Sequence, residues 1–112
     1  MVMSEYSYKK NELVTGGQVL CFDSEIRMVS AVRGTLVVLL EDTIRNNVYG
    51  VKNGSVIWQV QDVREVLPSN SVTLSYSFMK VENDNVIIAD DMGLYFQVDV
   101  MTGDLTFIDW KR

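Results

Sequence analysis

The residues that could perform nucleophilic, acid–base or metal chemistry are few in this sequence. The 112-residue chain has no histidine and one cysteine, Cys21. Imidazole catalysis and the common zinc sites are therefore excluded, and a nucleophilic thiol would have no imidazole to activate it. Cys21 lies in the apolar run 19–22, which predicts a small buried thiol. With a single cysteine, no internal disulfide can form.

Carboxylates are the remaining candidates for chemistry. Asp90 with Asp91, or Glu82 with Asp84, is a conceivable metal site or glycosidase-like pair. However, adjacent residues of a strand point to opposite faces, and these acids also lie at predicted turns, where Asp bonds the backbone. No phosphate-binding or catalytic signature motif occurs in the sequence. We therefore predict turn roles for these acids, with no catalytic residue, metal site or cofactor.

Composition and charge limit the partners. Hydrophobic residues make up 47% of the chain, charged residues make up 22%, and the net charge is −5, which is typical of one globular domain with a real core. Scattered negative charge argues against nucleic acid and anionic membranes as partners. No apolar run approaches the length of a membrane span, and no signal peptide is evident. The sequence predicts a soluble, cytoplasmic protein that binds protein.

Aromatic residues supply the candidate contact surface. Tryptophan and tyrosine are the usual anchors of protein interfaces, whereas aromatics on strands more often pack within the fold. If some of them form a partner-contact surface, the candidates are Tyr49, Trp58, Tyr95 and Trp110.

The elements that must position these residues are strands. Period-two alternation and short β-branched runs, separated by Gly, Asn and Asp, predict strands at 18–22, 26–32, 35–41, 47–51, 55–61, 72–81, 85–90, 94–100 and 104–110. One helical turn fits residues 61–67, with Asp62 as its cap and Val63 on its apolar side. Residues 1–14 lack a clear period and predict an irregular N-terminal arm, which leaves residues 15–112 as a single β domain.

The chain also contains an internal repeat. An offset of 49 residues lays the run 36–41 on the run 85–90, Gly54 on Gly103 and Trp58 on Phe107, while Tyr49 matches Tyr95 at an offset of 46. A period of this size with four short strands is the signature of β-propeller blades. The units span about residues 26–61 and 74–110, joined by a linker at about 62–73.

The repeated motif resembles the blades of quinoprotein-type (PQQ-like) propellers. The residues that carry the resemblance are the run 94–99, LYFQVD, followed by Thr102-Gly103, and the run 48–51, VYGV, followed by Asn53-Gly54 and Trp58. In that family the Tyr, Gly and Trp of the motif dock one blade against the next, so the resemblance implies packing roles here. Two units are too few for a ring, which needs about four to eight blades.

The predicted architecture is therefore all-β. Two blade-like four-stranded antiparallel meanders pack as a sandwich, a flattened barrel or a partial propeller, and strands that are apolar on both faces suit a sheet covered on both sides. Such units bury their faces only against neighbours, so we expect self-association, with a ring completed between chains as the alternative. The expected function is a non-catalytic protein-interaction module. The alternatives are an immunity-like or antitoxin-like inhibitor of a basic toxin or nuclease, and a structural component of a phage or other multi-chain assembly.

Overall fold

The computed structural model describes residues 6–41, 43–67 and 75–110. Within them the strands are β1 (Tyr6–Lys9), β2 (Glu12–Thr15), β3 (Gln18–Cys21), β4 (Ile26–Val32), β5 (Thr35–Leu40), β6 (Val48–Lys52), β7 (Ser55–Gln59), β8 (Phe78–Glu82), β9 (Asn85–Ala89), β10 (Leu94–Val98) and β11 (Leu105–Trp110). A single turn of 3₁₀ helix, Val63–Glu65, lies between β7 and β8.

The strands form three antiparallel sheets in chain order. Sheet 1 has the order β1-β2-β3, sheet 2 the order β4-β5-β6-β7, and sheet 3 the order β11-β10-β9-β8. Each sheet is a meander, because every strand pairs with the strand that follows it within the sheet. The prediction of an all-β fold with two four-stranded antiparallel meanders is confirmed by sheets 2 and 3.

Tight two-residue turns hold most of these hairpins. Asn53 and Gly54, between β6 and β7, have φ values of 53° and 76°, as a type I′ turn requires at both central positions. The same pair of positive φ values occurs at Gly16-Gly17, Arg33-Gly34 and Asn83-Asp84. Because this turn matches the right-handed twist of the strands, sequence-adjacent strands pair directly.

Sheet 2 lies between the other two sheets. Every residue of β5 is buried. Val38 packs in a cluster with Leu13 of β2, whereas Val37 packs in a second cluster with Ile88 of β9. Since neighbouring residues of a strand point to opposite faces, sheet 1 covers one face of sheet 2 and sheet 3 covers the other. The expected double coverage of this apolar strand is thus observed.

The hairpins fix the register of the repeat. The β4–β5 hairpin pairs Val32 with Thr35 across its turn, and the β8–β9 hairpin pairs Glu82 with Asn85. Equivalent positions of these two hairpins are therefore 50 residues apart, and the offset of 49 is wrong by one residue. A slip of one residue exchanges the two faces of a strand.

With the corrected register, sheets 2 and 3 stack in the same sense. Val37, which faces sheet 3, corresponds to Ile87, which points away from the stack. Val38, which faces sheet 1, corresponds to Ile88, which faces sheet 2. Each sheet therefore presents equivalent faces to the sheet before it and to the sheet after it.

The N-terminal region differs from its prediction. An irregular arm was expected over residues 1–14, whereas residues 6–9 and 12–15 form β1 and β2; residues 1–5 lie outside the described residues. The reason is that Leu13, which is fully buried, anchors the hairpin on sheet 2. The phenol of Tyr6 in β1 donates to the carbonyl oxygen of Val29 in β4 at 3.4 Å, so β1 lies beside β4.

The connection between sheets 2 and 3 follows the sequence prediction in its first half. Asp62 caps the 3₁₀ helix by accepting from the backbone N–H of Arg64 at 2.9 Å, and Val63 is fully buried. Hydrogen bonds from Arg64 lower the pKa of Asp62 well below its ordinary range. The rest of the predicted linker, including Pro68, lies outside the described residues.

A buried asparagine fastens the end of sheet 2 to the segment that enters sheet 3. The Nδ2 group of Asn47 donates to the carbonyl oxygens of Leu40 at 2.8 Å, Glu41 at 3.2 Å and Tyr76 at 2.8 Å. Its Oδ1 accepts from the backbone N–H of Tyr76 at 2.8 Å. One side chain thus satisfies backbone groups from two parts of the chain that are distant in sequence.

Candidate protein-contact surface

Trp58 is a docking residue between two sheets. It lies on β7 with 7% of its surface exposed, and its Nε1 donates to the carbonyl oxygen of Val100 at 2.8 Å. Its ring also lies against Gly103, where an added Cβ would come within 2.8 Å of the ring carbon Cε3. This side chain therefore joins sheet 2 to sheet 3 and is not accessible to a partner.

Tyr49 packs on the opposite face of sheet 2. It neighbours Val48, which belongs to the cluster shared with sheet 3, so Tyr49 points to sheet 1. There its ring lies 5.4 Å, centroid to centroid, from that of Phe22. Burial, and secondarily the charge of Asp23, raises the pKa of Tyr49 above its ordinary value. Tyr49 is thus mainly a packing residue as well.

Tyr95 is the predicted aromatic that faces outward. Its neighbour Phe96 is buried in the cluster between sheets 2 and 3, so Tyr95 points to the outer face of sheet 3. Tyr95 pairs with Ala89, which in turn pairs with Phe78. The rings of Phe78 and Tyr95 lie 6.2 Å apart across Ala89, and Phe78 is 42% exposed.

More apolar surface extends this aromatic pair. The next row of the outer face contains Lys80, the half-buried Ile87 and the exposed Gln97. On β11, Ile108 lies at a bulge in the pairing with β10 and is 43% exposed. We name this surface, carried by Phe78, Ile87, Tyr95 and Ile108, the sheet 3 outer patch.

The four predicted contact aromatics do not form one surface. Tyr49 and Trp58 lie on opposite faces of sheet 2, and Tyr95 lies on the far side of sheet 3. Trp110 ends β11, but its side chain lies outside the described residues. The sequence prediction missed Phe78. Phe78 lies two residues from Lys80 and therefore on the same face of β8, and a repeat offset of 50 would have identified that face as the outer one.

The opposite end of the stack has a second exposed apolar surface. Leu13 points inward from sheet 1, so its neighbour Val14 points outward and pairs with Val19 on the same face. Val14 is 41% exposed and Val19 is 59% exposed. Cys21 lies beyond Val19 on this face and is exposed, so the prediction of a buried thiol is wrong. We name Val14, Val19 and Cys21 the sheet 1 outer patch.

The carboxylates singled out in the sequence lie mainly at turns. The Oδ1 of Asp90 accepts from the backbone N–H groups of Met92 at 2.9 Å and Leu94 at 3.0 Å, which is the turn role predicted for it. Asp84 lies at the tip of the β8–β9 hairpin with φ 65°. Glu82, at the end of β8, contacts Lys80 at 2.9 Å. Across the described residues, no group of three or more acidic, cysteine or histidine side chains could share a metal ion.

The interior also contains a buried tyrosine. Tyr76 is fully buried, and its hydroxyl has no hydrogen-bond partner among the described residues. Burial raises the pKa of Tyr76 well above its ordinary value, and the charges of Asp90 and Asp62 act in the same direction. The second carboxylate oxygen of Asp90 is likewise buried, with no partner in the part of the chain that the structure describes.

Comparison with known proteins places the chain in a family. A family model described as Domain of unknown function (DUF7957) matches residues 3–110. The chain belongs to this family. The DUF7957 match spans all three sheets, including the N-terminal hairpin that the sequence reasoning had set apart. No curated protein has a sequence that matches the chain significantly.

A solved structure supports the fold. The DUF7957 chain is similar to a crystal structure of the computationally designed Ika8 protein, with a TM-score of 0.58 and 15% sequence identity. The likeness covers 95% of this chain and 36% of the Ika8 chain, so the chain spans about a third of that protein's length. At this identity the likeness concerns the fold alone. None of the described segments forms a helix with the length and hydrophobicity of a membrane span.

Proposed function

We propose that this chain is a non-catalytic protein-binding module that acts by self-association through the outer faces of its two end sheets. The observation that carries the proposal is the contrast between the sheets. β5 of the middle sheet is buried at every position, whereas the end sheets expose Val19 (59%) and Phe78 (42%) on faces that no described part of the chain covers. Exposed aromatic and aliphatic side chains on one face are typical of contact surfaces.

The remaining chemistry supports binding rather than catalysis. One carboxylate oxygen of Asp90 accepts hydrogen bonds from backbone N–H groups. The chain has no histidine, the commonest acid–base group of enzymes. We also place the module in the cytoplasm, because a free, exposed thiol such as Cys21 suits a reducing compartment.

Solution mass and charge insertion test this function. Light scattering of the native chain over micromolar concentrations should give a mass above the 12.7 kDa of one chain. Val19→Lys and Phe78→Lys should each weaken association at least tenfold, about 1.4 kcal/mol, because each forces an ammonium group into an apolar interface. A matched control is Met92→Lys, since Met92 is 58% exposed in a turn and lies outside both patches.

The folded state of each variant is checked by its melting curve, which should change little because both substituted side chains are exposed. A native chain that stays monomeric at tens of micromolar would contradict the proposal. So would association that survives both patch substitutions as well as it survives Met92→Lys.

A further inference from the structure

The stack of sheets has a direction, and its two ends are not alike. The corrected register gives each sheet one face that meets the preceding sheet and one that meets the following sheet. Val38 and Ile88 occupy the first kind of face, and Val37 and Ile87 occupy the second. The open face of sheet 1 is therefore of the first kind, and the open face of sheet 3 is of the second.

Faces of these two kinds already pack together twice within one chain. The following face of sheet 1 meets the preceding face of sheet 2, and the following face of sheet 2 meets the preceding face of sheet 3. The sheet 3 outer patch lies on a following face, and the sheet 1 outer patch lies on a preceding face. Each lacks the opposing sheet that such a face has inside the chain. A second copy of the chain has both of the faces that would complete them.

The composition of the two open faces suits this pairing. The centre of the sheet 1 outer patch is the cross-strand pair Val14–Val19, and its flank pairs Lys9 with Glu12. The sheet 3 outer patch centres on Phe78 and Tyr95. It is likewise flanked by one basic and one acidic residue, Lys80 and Glu82, which form an ion pair. Each of these two flanks carries one charge of each sign, so the flanks do not oppose docking by like charge.

The stack also curves. The first strands of the three sheets lie side by side: β1 is bonded to β4 through Tyr6 and Val29, and the backbones of sheets 2 and 3 approach most extensively where β4 meets β8. On the other side of sheets 2 and 3 the large ring of Trp58 fills the space between them and bonds the carbonyl oxygen of Val100, an arrangement that resembles two sectors of a ring. Radial repetition of this kind closes with about four to eight sheets.

We propose that two copies of this chain close into one ring of six sheets, with sheet 3 of each copy docked on sheet 1 of the other. The two interfaces are then identical and related by a two-fold axis through the centre of the ring. A head-to-tail contact forms a closed particle only when its rotation closes, and otherwise forms filaments. This inference rests on the proposed function and specifies its partner and its geometry.

The single cysteine makes a sharp test possible. Cys21 lies on the sheet 1 outer face, so one introduced cysteine on the sheet 3 outer face creates a head-to-tail pair. Gln97→Cys serves this purpose, because Gln97 is exposed beside Ile87 on that face. The chain is treated with a short bismaleimide, separated on a denaturing gel, and the linked peptides are identified by mass spectrometry.

Head-to-tail docking predicts that Gln97→Cys gives a covalent dimer whose linked peptides join Cys21 to position 97. The native chain, which has Cys21 alone, should give no covalent dimer. Met92→Cys is the matched control and should give none either. The native mass by light scattering should be that of two chains of 12.7 kDa each.

The possible failures are distinguishable. A strictly monomeric native chain overturns both the proposed function and the ring. A dimer in which the native chain links Cys21 to Cys21, or in which Gln97→Cys links position 97 to position 97, overturns the ring and leaves self-association standing. A ladder of masses beyond two chains overturns ring closure at two copies.

Discussion

Replacing Asn47 with alanine should destabilise the domain by about 4 kcal/mol. The substitution removes the partner of the buried Tyr76 N–H and of the carbonyl oxygens of Leu40 and Tyr76, all bonded at 2.8 Å. A buried polar backbone group without a partner costs about 1–3 kcal/mol. Three such groups, partly relieved by relaxation, give the stated total, which is a large share of the roughly 5–15 kcal/mol that holds a domain folded.

Urea unfolding followed by tryptophan fluorescence measures the loss. The transition midpoint should fall while the slope of free energy against urea stays constant, because the surface exposed on unfolding does not change. Gln97→Ala is the matched control, since the hydrogen bond that the Gln97 side-chain amide donates to Asn85 is long, at 3.3 Å, and exposed. Its loss should cost less than about 0.5 kcal/mol.

Asn47→Asp separates the two functions of the amide. The carboxylate keeps the acceptor for the Tyr76 N–H but turns the donor into a negative charge facing three carbonyl oxygens. At neutral pH it should be at least as destabilising as alanine, and acid should restore part of the stability, because a protonated carboxyl donates again. A cost below about 1 kcal/mol for Asn47→Ala would refute the role of this side chain as a clamp.

Three further predictions concern the interior. Trp58→Phe should lower the free energy of unfolding by about 2–3 kcal/mol, because it removes the donor to the Val100 carbonyl oxygen and creates a cavity. A loss below about 1 kcal/mol in chemical unfolding would contradict this. Gly103→Ala should destabilise more than Gly34→Ala, since both have φ near +80° but only the former places Cβ against the Trp58 ring; equal losses in unfolding midpoint would remove the packing argument. The raised pKa of Tyr76 keeps its phenol neutral in the fold, so stability should be fully present below pH 10.0, the ordinary value, and fall above it as the unfolded phenol ionises. Tyr76→Phe should flatten that alkaline decline in melting temperature, and an unchanged decline would assign it to other groups.

Much of the fold was accessible from local pattern. Alternation predicted β4 to β7 and β9 to β11 within a few residues, and the Asn53-Gly54 corner predicted its hairpin. The cap at Asp62 was also predictable, because capping depends on residues close in sequence. These features share one property: each is decided within a single strand or turn.

The features that the sequence did not reveal depend on one residue of register or on distant contacts. The offset of 49 exchanged the two faces of sheet 3. Phe78 was therefore not identified as an outer-face residue, and its contact with Tyr95 was not predicted. β1 and β2 were missed because Leu13 is the only fully buried residue of that hairpin. The side chain of Asn47 bonds Tyr76, which lies 29 positions away in the sequence. Patterns of neighbouring residues do not predict a contact at that separation.

The side chains that cross between sheets are distributed unevenly. Sheet 2 is fastened to the region of sheet 3 by Asn47, by Trp58 and by Gln61, whose Oε1 accepts from the Leu105 N–H at 2.8 Å. Sheet 1 is joined to sheet 2 by the bond from the Ile26 N–H to the Lys10 carbonyl oxygen at 2.7 Å and by the longer bond of Tyr6 at 3.4 Å. Leu13 is the one buried residue of β1 to β3, so sheet 1 is the least buried of the three sheets. Amide hydrogens of β1 to β3 should exchange first in the free chain, and docking of a second copy on sheet 1 would slow that exchange, so assembly would also complete the folding of the sheet that makes the contact.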